Sequence, residues 1–389
     1  MTSADRWLLP DGIEEILPPQ ARQIESLRRQ LLDLLDCWGY DVVMPPALEY
    51  LDSLLTGVGK DLDLRTFKVT DQLSGRLMGL SADTTPQVAR IDAHSFAPEG
   101  VGRFCYCRTV FHAKSSSLLA SRTPTQIGAE LYGEAGIDAD VEIISLMVAL
   151  LQHAGVTDIH LDLGNVAVFR ALADAAELNH EQQQGLFELL RLKCVSDLDQ
   201  WVSEHIRDGV LDQAFRQAFR LQGELDMLMP MVDSMAKAVP AAAQALSHTL
   251  QVAQQLMARF PELPLVFDFT ELRGYDYHTG LVFAAYVPGY GDAVMQGGRY
   301  DETGAVFGRA RPATGFSGDL KVLARFSGHA VNARETVLAP QHNDAQLWQQ
   351  VQALRAQGKR VVTQLNGEAM AADYQLQQQD GQWQLVKIN

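Results

Sequence analysis

Two apolar runs, Leu-Val-Phe-Asp-Phe at 265–269 and Leu-Val-Phe-Ala-Ala-Tyr-Val at 281–287, enclose the polar stretch Glu-Leu-Arg-Gly-Tyr-Asp-Tyr-His-Thr-Gly at 271–280. Both runs have the composition of strands, so the stretch between them is predicted to be the turn of a strand-turn-strand unit. Such a unit commits this part of the chain to an antiparallel sheet. It also places Arg273, Tyr275, Tyr277 and His278 on a backbone that cannot drift. A guanidinium grips a carboxylate with two hydrogen bonds, and aromatic rings take a flat side chain. The residue types therefore point to a small zwitterion as ligand, against the plainer alternative of a solvated polar hairpin.

The totals exclude several classes. A chain of 389 residues can hold two or three domains, and 47% apolar with 21% charged residues is ordinary globular composition. No apolar run is long enough to span a bilayer, so no membrane association is expected. The N-terminus has neither the basic cluster nor the apolar core of an export signal. Four cysteines make no disulfide framework in so long a chain, and the expected location is the cytoplasm. His180, Cys194 and His205 lie too far apart to argue for a metal site, and no metal or cofactor is expected. Acids outnumber bases by 48 to 32, a net charge of −16, which disfavours a surface built to hold tRNA phosphates.

Along the chain, Ile24, Leu27, Leu31, Leu34, Leu35 and Trp38 recur at three- and four-residue intervals, which predicts a helix over 20–38 ended by Gly39. A short strand over 40–44 stops at Pro45-Pro46, and two more strands are expected over 65–70 and 76–80. Pro86 marks a helix start, with Asp83 and Thr85 free either to cap it or to aim oxygens at a ligand's ammonium. A strand over 103–111 leads through a loop to a return strand. On that return strand Gln126 and Glu130, four apart, face one side. A helix over 138–153 capped by Asp138 and a strand over 156–163 follow. Residues 165–261 lose all strand signals and read as successive amphipathic helices. Beyond residue 326, strands at 335–339 and 360–364 around a helix at 345–357, then a hairpin over 373–388, make a small βαββ-like unit.

Several of these pieces resemble the class II aminoacyl-tRNA synthetase fold. Helix, Gly39-Tyr40, strand, Pro45-Pro46 and Glu49 look like its first motif, which in that fold forms the dimer interface. The segment from Arg103 to Glu130 resembles its second motif and Pro312 to Ala324 its third. The stretch 271–280, together with Gly297-Gly298-Arg299-Tyr300-Asp301, resembles the paired histidine-recognition signatures of histidyl-tRNA synthetases. The resemblance implies a histidine site made by Asp83, Thr85, Gln126, Glu130, Arg273, Tyr277 and His278. Within it Asp83 replaces a glutamate and His278 a tyrosine.

Elsewhere the chain departs from a working synthetase. His112 stands where the second motif places the arginine that clamps the ATP α-phosphate, Lys114 where it places an acid, and Val322 where the third motif places an arginine over the adenine. Neutral imidazole offers one donor against the five of guanidinium. The implied pattern is an amino-acid pocket kept and an ATP pocket dismantled, with no catalytic residue in this chain.

The string Asp83-Thr-Thr-Pro-Gln-Val-Ala-Arg-Ile-Asp92, with Gly315-Phe-Ser-Gly-Asp-Leu-Lys-Val-Leu323, resembles the ATP phosphoribosyltransferase regulatory subunits, and the likeness extends over residues 5–326. It implies an α+β fold: a class II synthetase-like antiparallel sheet flanked by helices, with a helical insertion and a small C-terminal α/β unit. The implied domains are 1–164 with 262–326 for histidine binding, 165–261 for the insertion, and 327–389. The implied role is a non-catalytic regulatory subunit of a glycosyltransferase complex. It would switch on the short-form catalytic subunit and carry histidine feedback at the first step of histidine biosynthesis, as a homodimer within a hetero-oligomer and without tRNA. The rival readings are a stand-alone histidine sensor, a divergent histidyl-tRNA synthetase, and a synthetase-like enzyme modifying another protein or a small molecule.

Overall fold

The computed structural model describes residues 7–56, 60–96, 99–115, 120–220, 222–223, 225–270, 277–328, 335–365 and 370–388. The chain divides into two compact units, Met1–His329 and Ala330–Asn389. Among the described residues no helix is long and apolar enough to cross a membrane.

In the first unit, helix α1 (Gln20–Cys37) buries the stripe Ile24, Leu27, Leu31 and Leu35 that its spacing predicts. Gly39 ends it in left-handed backbone (φ 81°). Pro45-Pro46 confine the strand that follows to β1 (Asp41–Val42). Strands β2 (Leu48–Tyr50), β3 (Phe67–Thr70) and β4 (Leu77–Leu80) form a small antiparallel sheet in the order β2-β4-β3, with helices α2 (Leu51–Leu54) and α3 (Lys60–Arg65) between β2 and β3. Helix α4 (Thr85–Arg90) carries Pro86 in its first turn and runs into a π-helical turn, Ile91–Ser95.

Strands β5 (Gly102–Thr109) and β6 (Thr125–Tyr132) pair antiparallel before helix α5 (Ile137–His153). The cap of α5 is extended Gly136, not the expected Asp138. Helical backbone begins one residue earlier than predicted, so Asp138 falls in the first turn, where its charge suits the helix dipole. Strand β7 (His160–Asn165), by contrast, starts later than predicted, after Asp158 turns through left-handed backbone (φ 56°). Helices α6 (Val166–Ala175), α7 (His180–Arg191), α8 (Val195–His205) and α9 (Gly209–Ala218), the short strand β8 (Gln222–Gly223), and helices α10 (Leu225–Ala238) and α11 (Pro240–Arg259) follow. Their apolar faces, including Phe169, Phe215, Leu246 and Leu256, join the same large core as the preceding sheet and helices.

The unit closes with β9 (Leu265–Asp268), β10 (Leu281–Tyr286), β11 (Met295–Arg299), β12 (Ala313–Asp319) and helix α12 (Leu320–Phe326). Among the described residues nine strands form one sheet in the order β1-β5-β6-β12-β11-β10-β7-β9-β8. This order corrects the strand-turn-strand expectation for 265–287. Strands β9 and β10 exist, but β7 lies between them, parallel to β9 and antiparallel to β10. The connection at 269–280 is far longer than the roughly two to five residues of a tight hairpin, so it can step across an intervening strand. A parallel pair needs a crossover, and the helical stretch from α6 to α11 is the one joining β7 to β9. Helices α1, α5 and α12 cover one face of the sheet with the large core. Beside α4 the opposite face holds a smaller cluster of Val88, Ala89, Phe104, Tyr106, Tyr132, Tyr300 and Ala313.

In the second unit, β13 (Thr336–Ala339), helix α13 (Ala345–Ala356), β14 (Arg360–Thr363), β15 (Tyr374–Gln379) and β16 (Gln382–Lys387) give a sheet ordered β14-β13-β15-β16. Leu347, Val351 and Leu354 of α13 pack on Val337, Ala339, Val361 and Leu376. Asp380 and Gly381 both take positive φ, as a two-residue hairpin turn requires.

Candidate functional site

On the face of the sheet toward α4, Glu130 of β6 is 1% exposed and receives three hydroxyl groups. Thr85 Oγ1 and Tyr106 Oη each donate to Oε1 at 2.9 Å, and Tyr300 Oη donates to Oε2. The sequence permits this because β5, β6, β12 and β11 lie side by side and glycine stands wherever the network needs room. A Cβ on Gly315, opposite Glu130 in the ladder, would collide with its carboxylate. One on Gly128 would meet the Tyr106 ring, and one on Gly298 the His278 ring.

Gln126, two pleats along the same face, ties the start of α4 to the sheet. Its Nε2 donates to Asp83 Oδ1 (2.8 Å) and Ser317 Oγ (3.1 Å), and its Oε1 accepts the Thr84 amide (2.9 Å). Asp83 Oδ1 also accepts the Thr85 amide (3.2 Å), so Asp83 holds the first amide of α4 as well as Gln126, while the N-cap position itself is Thr84 with no side-chain cap bond. Tyr277 stacks on Tyr300 with ring centroids 5.0 Å apart, and His278 meets Tyr277 edge-on at 5.2 Å. The structure thus joins Asp83, Thr85, Gln126, Glu130, Tyr277 and His278 into one connected group. Arg273 lies outside the described residues.

Burial pushes the Glu130 carboxyl up to about 8, although three donated hydroxyls favour the anion. Tyr106, Tyr132, Tyr277 and Tyr300 are raised well above the usual phenol range by burial and by proximity to Glu130. Tyr277 Oη is buried with no hydrogen-bond partner among the described residues. A buried hydroxyl without a partner is costly unless something else completes it. The group can hold a cation against Glu130 and a flat ring against Tyr277. Residues 103–111 gave an aromatic strand in the sequence, but nothing local marked Tyr106 as a partner of Glu130, nor Tyr132 and Ser317 as neighbours of the network. The only signal was alternation, because residues two apart share a face.

His112 and Val322, the residues expected in place of an ATP clamp, both pack inward. His112 is 8% exposed, 2.9 Å from Arg65 Nη2 through Nε2, with Ala82 O at 3.0 Å. Burial first, and then the Arg65 charge, pull the imidazole down to about 4, so it is neutral at pH 7. Val322 is partly buried against the large core. Among the described residues no cluster of three His, Cys, Asp or Glu side chains could hold a metal ion.

A family model described as histidyl-tRNA synthetase matches residues 12–323, and one described as ATP phosphoribosyltransferase subunit HisZ C-terminal domain matches residues 334–386. ATP phosphoribosyltransferase regulatory subunits from Pseudomonas fluorescens and Azotobacter vinelandii are each 52% identical to this chain over 100% of both partners. One from Alkalilimnicola ehrlichii is 52% identical over 97% of this chain and 96% of its own. A solved Bacillus halodurans protein described as an ATP phosphoribosyltransferase regulatory subunit/histidyl-tRNA synthetase superposes with TM-score 0.80 at 25% identity, covering 94% of this chain and 95% of its own. Histidyl-tRNA synthetase from Nostoc sp. PCC 7120 (TM-score 0.77, 17% identity, 95% and 91% covered) shares the fold. The α+β architecture is therefore the histidyl-tRNA synthetase-like class II fold. By sequence over its whole length, the chain belongs to the ATP phosphoribosyltransferase regulatory subunits.

Proposed function

We propose that this chain is the catalytically silent, histidine-binding subunit that activates a short-form ATP phosphoribosyltransferase and carries histidine feedback to it. The observation behind this reading is the Glu130 network: a buried carboxyl ringed by Thr85, Tyr106 and Tyr300, beside a Tyr277 hydroxyl lacking a partner. Histidine supplies what is missing there, a cation for Glu130 and a flat ring for Tyr277. Asp83, Thr85 and Gln126 lie toward the ammonium, His278 borders the ring, and Arg273 takes the carboxylate. Residues 1–164 with 262–326 make the binding domain, 165–261 its helical insertion, and 327–389 a small C-terminal domain.

The nucleotide side of the site is disabled. A neutral His112 engaged by Arg65 and Ala82 cannot grip an α-phosphate, and Val322 carries no charge for the triphosphate. Losing such a clamp typically costs ~10²- to 10³-fold in rate. The catalytic residues then belong to the partner polypeptide. The net charge of −16 argues against a tRNA ligand. Met44 is 84% exposed beside β1, and Leu48, Tyr50 and Val69 remain exposed on the small sheet; such an apolar surface suits a second copy, making a homodimer within the hetero-oligomer. The four cysteines are free thiols, in keeping with a cytoplasmic setting.

Reconstitution tests the reading. Adding the purified chain to an isolated short-form catalytic subunit is expected to restore transferase activity and make it histidine-inhibitable. No stimulation, with histidine binding intact, would leave the chain a stand-alone sensor.

A further inference from the structure

Four side chains of the stretch between β7 and β9 bond to residues that flank or support the recognition segment. Before the segment, Asp268 Oδ1 accepts the Thr270 amide (2.8 Å) and its hydroxyl (2.6 Å), while Oδ2 accepts Lys193 Nζ at 2.8 Å and Gln222 Nε2 at 3.0 Å. After it, Arg170 Nη2 of α6 donates to the His278 carbonyl at 2.8 Å. Beneath it, the Arg299 carbonyl accepts the Thr279 amide (2.7 Å), and the Arg299 guanidinium meets the fully buried Asp140. His248 Nε2 of α11 lies 2.7 Å from the same Asp140. Arg299 directly precedes Tyr300, which donates to Glu130.

Lys193 carries a second mark. It follows the end of α7 in left-handed backbone (φ 53°), a place where glycine is the usual residue. Here the position holds a lysine whose ammonium sits on a nearly buried carboxylate. Its own stem is about half exposed, so the ion pair adds little to overall stability.

We propose that Arg170, Lys193 and His248 are positioning residues through which the helical stretch 166–259 sets the affinity of the Glu130 pocket. This rests on the histidine reading above. By linkage, whatever reseats these helices changes histidine affinity, and bound histidine biases how they sit. Lys193 acts through Asp268, Arg170 through the His278 backbone carbonyl at the edge of the group around Glu130, and His248 through Asp140.

The test compares the full-length chain with Lys193→Gly, Lys193→Arg and Arg170→Ala. Histidine titration and hydrogen exchange of peptides over 265–270 and 277–281 are measured on each. Glycine suits the left-handed backbone, so Lys193→Gly is expected to keep the melting temperature while weakening histidine roughly 5- to 50-fold. Lys193→Arg should recover most of the loss, and Arg170→Ala should speed exchange over 277–281. Wild-type affinity in both Lys193→Gly and Arg170→Ala would overturn the proposal and leave the pocket reading standing. If the wild-type chain binds no histidine, the pocket reading fails and exchange alone decides: faster exchange in the variants supports positioning, and unchanged exchange refutes it.

Discussion

Gly315 of β12 faces Glu130 of β6 across the ladder, and the space its missing Cβ leaves is filled by the Glu130 carboxylate. Gly315→Ala would therefore force that carboxylate out of its hydroxyl ring. Overpacking at so tight a point costs ~1–3 kcal/mol, and histidine binding should be lost with it. Calorimetric unfolding beside a histidine titration checks both. A variant as stable and as tight-binding as the wild type would refute the packing account.

Glu130 also gives a pH signature. Its folded value, about 8, lies above the ordinary glutamate value, so the folded state holds a proton that the unfolded chain has released. Stability from this group is full below about 4.5 and is lost as pH rises toward 8, with a slope of at most about 1.4 kcal/mol per pH unit. Glu130→Gln should flatten that loss in melts from pH 5 to 8. Histidine binding near pH 7 should release a proton, read as a dependence of binding heat on the buffer's ionisation enthalpy.

His112 behaves in the opposite sense. Its folded value, about 4, is below the ordinary imidazole value, so the unfolded chain takes up a proton that the fold refuses. The contribution is complete above pH 6.5 and disappears as pH falls to 4. In His112→Asn the acid limb of the stability curve should be shallower over that window, by up to about 1.4 kcal/mol per pH unit.

Tyr277 separates ligand binding from folding. Its buried hydroxyl has no partner among the described residues, so Tyr277→Phe removes a group that gains nothing in the empty site. The variant should melt at the wild-type temperature or slightly above it. A hydrogen bond supplied by the ligand is worth ~0.5–1.5 kcal/mol, so histidine affinity should fall by about 2- to 10-fold. A destabilised variant with unchanged affinity would contradict this.

What the sequence disclosed followed its local patterns. The stripe Ile24, Leu27, Leu31 and Leu35 named α1, and the four-residue spacing of Gln126 and Glu130 put both on one face. The order of strands was hidden. Nothing near 265–287 records that β7, more than a hundred residues earlier, would insert between β9 and β10. Partners of buried groups were hidden for the same reason. Tyr106 reaches Glu130 from β5 and Tyr300 from just past β11, and Arg65 reaches His112 from 47 residues away. The motif comparison drew attention to His112 but not to its surroundings. That its imidazole is neutral follows from the burial and the guanidinium that the fold brings to it.

One paired assay of the purified chain tests histidine binding without adenylation most directly: histidine titration by calorimetry, together with histidine-dependent exchange of pyrophosphate into ATP. The expected result is saturable histidine binding, abolished by Glu130→Ala and by Arg273→Ala, with no exchange above background. Exchange at synthetase-like rates, or histidine binding untouched by both substitutions, would contradict it.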